Sequence, residues 1–240
     1  MGKIEKDKII EIFKDWFRNE LVISHKRNTE KLTTTKSFNI NPFLIYYLSN
    51  YLEGNSDSKS LAKALIYPRV LGTSITTSFG MRMQDFVTKL LEDTSGSLIP
   101  GIDLEFIDQL DGRKKFCQLK SGPNVVNHDD VETIDQHFTS IKNLGKQNKV
   151  DLKYGDLVFC LIYGEKNELN SFIKNLEKRN ITVYVGKEFW ERFTGDSEFY
   201  KHLIESAGEV ANEFNMKEVI NNVIDELSID LEETFKKKLD

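Results

Sequence analysis

Two short runs, DLVFCLIYG (156–164) and ITVYVG (181–186), limit the choice of fold more than any other feature of this chain. Both are rich in β-branched and aromatic residues and nearly free of charge, so as strands they need cover on both faces. ELNSFIKNLEKRN (168–180) lies between them and has helical spacing. Upstream, LIPGIDLEFIDQL (98–110) and KKFCQLKSG (114–122) are strand-like, and Asp111-Gly112 in DGRK suits a tight hairpin turn. DDVETIDQHFTSIKNLGKQ (129–147) reads as a helix, with Asp129 and Glu132 in capping-box spacing. The order of elements predicts an α/β core, a mixed central sheet flanked by helices.

Outside that core the spacing is helical. DKIIEIFKDWFRNEL (7–21) places Ile9, Ile10, Phe13, Trp16, Phe17 and Leu21 on one face. PFLIYYLSNYL follows with Pro42 in its first turn, and SLAKALIYPRVLG is expected to stop at Pro68 and Gly72. The polar stretch 25–41 and GTSITTSFG (72–80) read as loops, and MRMQDFVTKLLED as another helix. Residues 187–240 return to helix, and VINNVIDELSIDLEETF suits either a partner subunit or packing within one chain.

No apolar run approaches the roughly 18 residues of a membrane span, and the charged start lacks a signal-peptide core, so a cytoplasmic protein without a membrane partner is expected. Cys117 and Cys160 fall in apolar strands and read as buried thiols; the four histidines share no ligand spacing. The net charge of −5 does not advertise nucleic-acid binding, but its distribution is uneven. Residues 1–90 carry 14 Lys and Arg against 9 Asp and Glu, whereas 201–240 carry 5 against 10. The basic front half either touches DNA through segments such as SHKRNTEKLTTTK or forms solvated connections.

Strand alternation puts Asp103, Glu105 and Ile107 on one face, and Phe116, Gln118 and Lys120 on one face of the next strand. A hairpin between them brings carboxylate, amide oxygen and ammonium together. An aspartate and an oxygen donor suit Mg²⁺, which keeps some of its waters, and a lysine beside them can position one such water against a phosphodiester.

These residues resemble the PD-(D/E)-x-K nuclease superfamily. Pro100 and Asp103 stand for its "PD", with two residues between them, and Gln118-Leu119-Lys120 for its "(D/E)-x-K", with an amide in place of the carboxylate. The continuation QLKSGPNVVNHDD is similar to type II restriction endonucleases that cut GG-N-CC-type sites. The resemblance implies a Mg²⁺-dependent endonuclease that acts on double-stranded DNA as a homodimer at a palindromic site. It divides the chain into a helical region (1–75, recognition or dimerisation), a restriction-endonuclease-like catalytic core (76–195) and a helical tail (196–240). By position, Asp103, Gln118 and the Leu119 carbonyl would bind the metal and Lys120 would be the catalytic lysine. Glu105 is the alternative source of a second carboxylate. Gln84, or its neighbour Asp85, is the candidate supporting residue on the preceding helix, although Met83, Phe86 and Leu90 already define that helix's core face. Ser121, Asn124 and Asn127 either contact phosphate or form the turn. A modification-dependent or repair nuclease of the same fold, and a DNA-binding module that has lost catalysis at Gln118, are the rival readings.

Overall fold

The computed structural model describes residues 6–94, 97, 99–147, 149, 152, 153 and 155–239. Its four strands are β1 (Leu104–Ile107), β2 (Lys114–Lys120), β3 (Leu157–Leu161) and β4 (Thr182–Val185), ordered β1-β2-β3-β4 in one sheet. β1 and β2 are antiparallel; β2, β3 and β4 run parallel. Parallel neighbours cannot be joined by a turn. The crossovers are a long helix, His128–Gln147, and a short one, Ser171–Lys178.

The remaining helices complete the numbering in chain order: α1 (Lys6–Trp16), α2 (Ile23–Glu30), α3 (Pro42–Glu53), α4 (Ser58–Pro68), α5 (Ile75–Thr94), the two crossovers as α6 and α7, then α8 (Lys187–Thr194), α9 (Phe199–Asn212) and α10 (Met216–Leu239). The chain forms two compact units. One comprises the residues up to Lys14 with Met83–Ala207, and the other Asp15–Arg82 with Gly208–Asp240.

In the first unit the sheet is covered on both faces, as the apolar strands require. Phe116, Phe159, Leu161, Val183 and Val185 pack with Val131, Ile134, Phe138 and Ile141 of α6 and Ile173 and Leu176 of α7. On the other face Phe106 meets Phe189 and Phe193 of α8 edge-on, and the Trp190 indole donates to the Ile162 carbonyl at 2.9 Å. Cys117 and Cys160 are fully buried free thiols.

In the second unit α4 packs against both α3 and α10. Leu61, Ala62 and Ile66 of α4 share a core with Ile45 and with Val223, Ile224, Leu227 and Leu231 of α10, so α10 is a packed helix within one chain.

Three sequence expectations change. The polar segment from residue 25 is not wholly a loop: α1 runs through a π-helical turn (Phe17–Val22) into α2, which ends only at Glu30. Thr29 is buried, with its hydroxyl on the His25 carbonyl, so this end has an inner face despite its polarity. Pro68 and Gly72 do not stop the helix either. A π-helical stretch, Arg69–Ser74, follows Pro68 and carries the helix into α5, replacing the expected loop 72–80. The His25 ring hydrogen-bonds the Val70 carbonyl in this stretch at 3.0 Å. Finally, the hairpin turn is longer than Asp111-Gly112 alone. Asp108 N–H donates to the Arg113 carbonyl, and the Asp108 carboxylate accepts from the Leu110 N–H at 2.9 Å.

That longer turn holds a buried ion network. Lys115, 2% exposed, donates to Asp111 at 2.6 Å and lies 3.5 Å from Asp156; Arg113 clamps Asp156 and Arg192 reaches the fully buried Asp108 at 2.9 Å. Burial pushes the Asp156 carboxyl up, but Arg113, the Lys153 N–H and Lys115 outweigh it and hold it below its ordinary value of 3.8. A depressed carboxylate stabilises the fold above its unfolded pKa and loses that contribution as pH falls through the folded one. Stability should therefore drop on acidification below about pH 4. Asp156→Asn should cost about 3 kcal/mol at neutral pH and weaken that acid dependence, as measured by urea unfolding across pH.

Candidate active site

The site begins with a turn. Ile102 N–H donates to the Ile99 carbonyl at 3.0 Å across Pro100-Gly101, and Gly101 has φ +82°. Proline second and glycine with positive φ third is the pattern of a type II turn. It explains the two residues between Pro100 and Asp103: the chain reverses here before entering β1. A Cβ on Gly101 would lie 2.4 Å from the His137 ring, so the position is closed to other residues by space as well as by φ.

Asp103 sits one residue before β1. Its N–H donates to the Cys117 carbonyl at 3.0 Å, and its carboxylate accepts the Leu119 N–H at 2.8 Å. Leu119 lies beyond the last β1 pairing, Leu104 with Cys117, so the carboxylate takes a backbone donor the ladder leaves over. Burial raises the Asp103 carboxyl above its ordinary range, against the pull of the Leu119 N–H, Lys120 and His137.

Gln118 lies across from Asp103 on the α6 side of the sheet. It is 8% exposed. Its Nε2 donates to the Gly101 carbonyl at 2.6 Å and lies 2.7 Å from His137 Nδ1, whereas its buried Oε1 has no hydrogen-bond partner. Lys120 ends β2 on the same face, paired in register with Leu161 and only half-buried. The structure thus brings Asp103, Gln118 and Lys120 together, as their alternation along the strands predicts.

Other candidates fare differently. Glu105 shares the face but is occupied: it pairs with Lys114 and accepts from Ser97 Oγ at 2.6 Å. Burial pushes its carboxyl up, yet these two partners leave it below its usual range. Gln84 falls on α5 with its side chain outside the described residues, and Asp85 is exposed. The Ser121 carbonyl accepts the Tyr163 N–H, and Asn124 is exposed. Asn127 forms the capping box of α6 with Asp130, its Oδ1 accepting the Asp130 N–H at 3.0 Å while Asp130 accepts the Asn127 N–H at 2.9 Å. The expected Asp129–Glu132 box is not formed, because α6 starts earlier and Glu132 instead pairs with Arg179.

Sequence reasoning missed Gly101 and His137. Pro-Gly is a turn signal that could have marked the first. His137 lies three residues after Ile134 and four before Ile141, on the buried side of α6, and a histidine in that stripe is the clue to the second.

The donors suit a hard divalent cation: a carboxylate, a buried amide oxygen without a proton donor, and a backbone carbonyl, all oxygen. Among the described residues no group of three or more His, Cys, Asp or Glu could hold a metal.

The profile of type II restriction endonuclease EcoO109I matches residues 13–215. The chain belongs to this family. It is a site-specific deoxyribonuclease of the PD-(D/E)-x-K class. No curated protein matches it. Among the described residues no helix is long and apolar enough to cross a membrane.

Because Glu105 is already committed, Glu105→Gln should leave the metal dependence of DNA cleavage unchanged. Loss of the Lys114 pair should cost no more than about 1 kcal/mol of stability. A Mg²⁺ titration of cleavage rate, alongside thermal unfolding, checks both.

Proposed function

We propose that this EcoO109I-type enzyme hydrolyses phosphodiester bonds of double-stranded DNA with Mg²⁺, at a specific palindromic site, as a homodimer. The observation that carries the metal reading is the buried, unpartnered Oε1 of Gln118 on the same sheet face as Asp103. An acceptor of this kind is costly to bury unless something occupies it, and a cation does so. Asp103, Gln118 Oε1 and the Leu119 carbonyl would hold the ion. A bound Mg²⁺ would supply Lewis-acid chemistry there, stabilising the charge that develops at the phosphate. Lys120 projects from the same face two residues beyond Gln118, where its ammonium positions the attacking water and offsets charge at the phosphate. Asp103 is held for ligation by the Leu119 N–H, which fixes one carboxylate oxygen.

Ser121 and Asn124, in the loop directly after Lys120, are proposed to contact the backbone phosphates. Asn127 is assigned to capping α6. EcoO109I recognises a GG-N-CC-type site, so sites of that class are the first to test.

The homodimer reading is supported by α3. Phe43 and Tyr51 are 86% and 80% exposed, with Leu44, Tyr47 and Leu52 also exposed on this one helix, and Tyr47 and Tyr51 stack. An exposed aromatic face of this density suits a protein partner, and a two-fold protein matches a palindrome.

The test is incubation of purified protein with unmethylated DNA containing GG-N-CC-type sites, in Mg²⁺ or EDTA. Discrete fragments are expected with Mg²⁺ only, and Lys120→Ala should slow cleavage by at least about 100-fold. Sedimentation of the same preparation should give a dimer, shifted to monomer by Phe43→Asp with Tyr47→Asp. Intact DNA in every lane, with salt-sensitive binding unaffected by Lys120→Ala, would make the protein a DNA-binding module instead.

A further inference from the structure

We propose that His137 is a positioning residue that locks the Gln118 amide with its oxygen toward the metal, allowing an amide to stand where a carboxylate is usual. This rests on the metal reading of Asp103 and Gln118 given above.

The Gly101 carbonyl lies 2.6 Å from the end of the Gln118 side chain. A backbone carbonyl has no proton to give, so at that distance it accepts only the amide nitrogen; a flipped amide would set oxygen against oxygen. The second proton of Nε2 then faces His137 Nδ1 at 2.7 Å. For that contact to be a hydrogen bond, Nδ1 must be the acceptor and the ring proton must sit on Nε2. Both amide protons are thereby taken, and Oε1 is the one polar atom of the group without a partner. The ring is held in place by packing: a Cβ on Gly101 would fall 2.4 to 2.7 Å from His137 Cγ, Cδ2 and Nδ1. His137 also follows Ile134 and precedes Phe138 and Ile141, all buried on the face of α6 that covers the sheet.

The same geometry penalises the usual residue. A glutamate at 118 would set a carboxylate oxygen against the Gly101 carbonyl where the amide nitrogen now lies at 2.6 Å, and although His137 can meet that oxygen by carrying its proton on Nδ1, the carbonyl has no proton to offer. The type II turn at Pro100-Gly101, His137 and Gln118 therefore form one matched set. Restoring the carboxylate alone should not improve metal binding.

The test compares His137→Asn with His137→Leu. Asparagine carries an oxygen close to the place of Nδ1 and keeps the acceptor, whereas leucine keeps bulk and loses it. Mn²⁺ binding to the full-length protein is measured by calorimetry, with the Mg²⁺ dependence and maximal rate of cleavage in parallel. His137→Leu should weaken Mn²⁺ binding by about 10- to 100-fold and raise the Mg²⁺ requirement equally, with the rate largely recovered at saturating Mg²⁺. His137→Asn should stay close to wild type, and Gln118→Glu should bind Mn²⁺ no more tightly than wild type. If His137→Leu unfolds, His137→Gln replaces it, since its polar end reaches the Nε2 position instead.

Equal Mn²⁺ affinities for wild type, His137→Asn and His137→Leu would overturn the proposal, as would equal losses in both variants or tighter binding by Gln118→Glu. Asp103→Asn separates this from failure of the underlying reading. If it abolishes Mn²⁺ binding while His137→Leu does not weaken it, only the role of His137 falls. If Asp103→Asn binds Mn²⁺ like wild type, the metal site itself is wrong and the proposal goes with it.

Discussion

Two hydrogen bonds that cross from the turn before β1 to the end of β2 hold the site together: the Leu119 N–H on the Asp103 carboxylate, and the Gln118 amide on the Gly101 carbonyl. Neither belongs to the regular ladder. They extend the β1–β2 pairing past its last backbone partners with side chains, so residues separated by 15 or more positions converge at one end of the hairpin. Without the reversal at Pro100-Gly101, Asp103 would continue along the chain direction and the carbonyl that orients Gln118 would point elsewhere. The backbone of one tight turn thus sets the position of a carboxylate and the orientation of an amide.

The two ends of this hairpin treat charge in opposite ways. At the turn end, Asp108, Asp111 and Asp156 are met by Lys115, Arg113 and Arg192, and the Asp156 and Asp111 carboxyls are held below their ordinary range. Such a network is compensated and serves the fold. At the site end, burial outweighs the partners of Asp103 and raises its carboxyl, and the neighbouring amide oxygen has no donor. Uncompensated oxygen of this kind favours an added cation. A single hairpin therefore carries a compensated ion network at its turn and an uncompensated carboxylate and amide oxygen at its other end, the two joined by the seven residues of β2.

Much of this was legible in the sequence because it rests on period-two alternation. The register that pairs Glu105 with Phe116 leaves Asp103 opposite Gln118, as alternation alone predicts. The apolar runs 156–164 and 181–186 likewise gave β3 and β4, buried on both faces. What was not legible depends on contacts between distant segments. The sequence suggests Glu105 as a ligand; its pairing with Lys114 follows from the hairpin register, but its hydrogen bond from Ser97 depends on a contact that the strand pattern does not carry. His137 is one polar residue in an apolar stripe until α6 is laid on Gly101. Pro68 looks like a helix stop because propensity is local, whereas the π-helical stretch that continues the helix after it is set within the helical unit, where Val70 is fully buried.

Anomalous diffraction from crystals of the protein grown with Mn²⁺ tests metal binding by Asp103 and Gln118 directly. An anomalous peak is expected within coordination distance of an Asp103 carboxylate oxygen and of Gln118 Oε1, with Gln118 Nε2 still on the Gly101 carbonyl. A peak on Glu105 with Asp103 unligated, or a Gln118 amide turned so that nitrogen faces the ion, would contradict it.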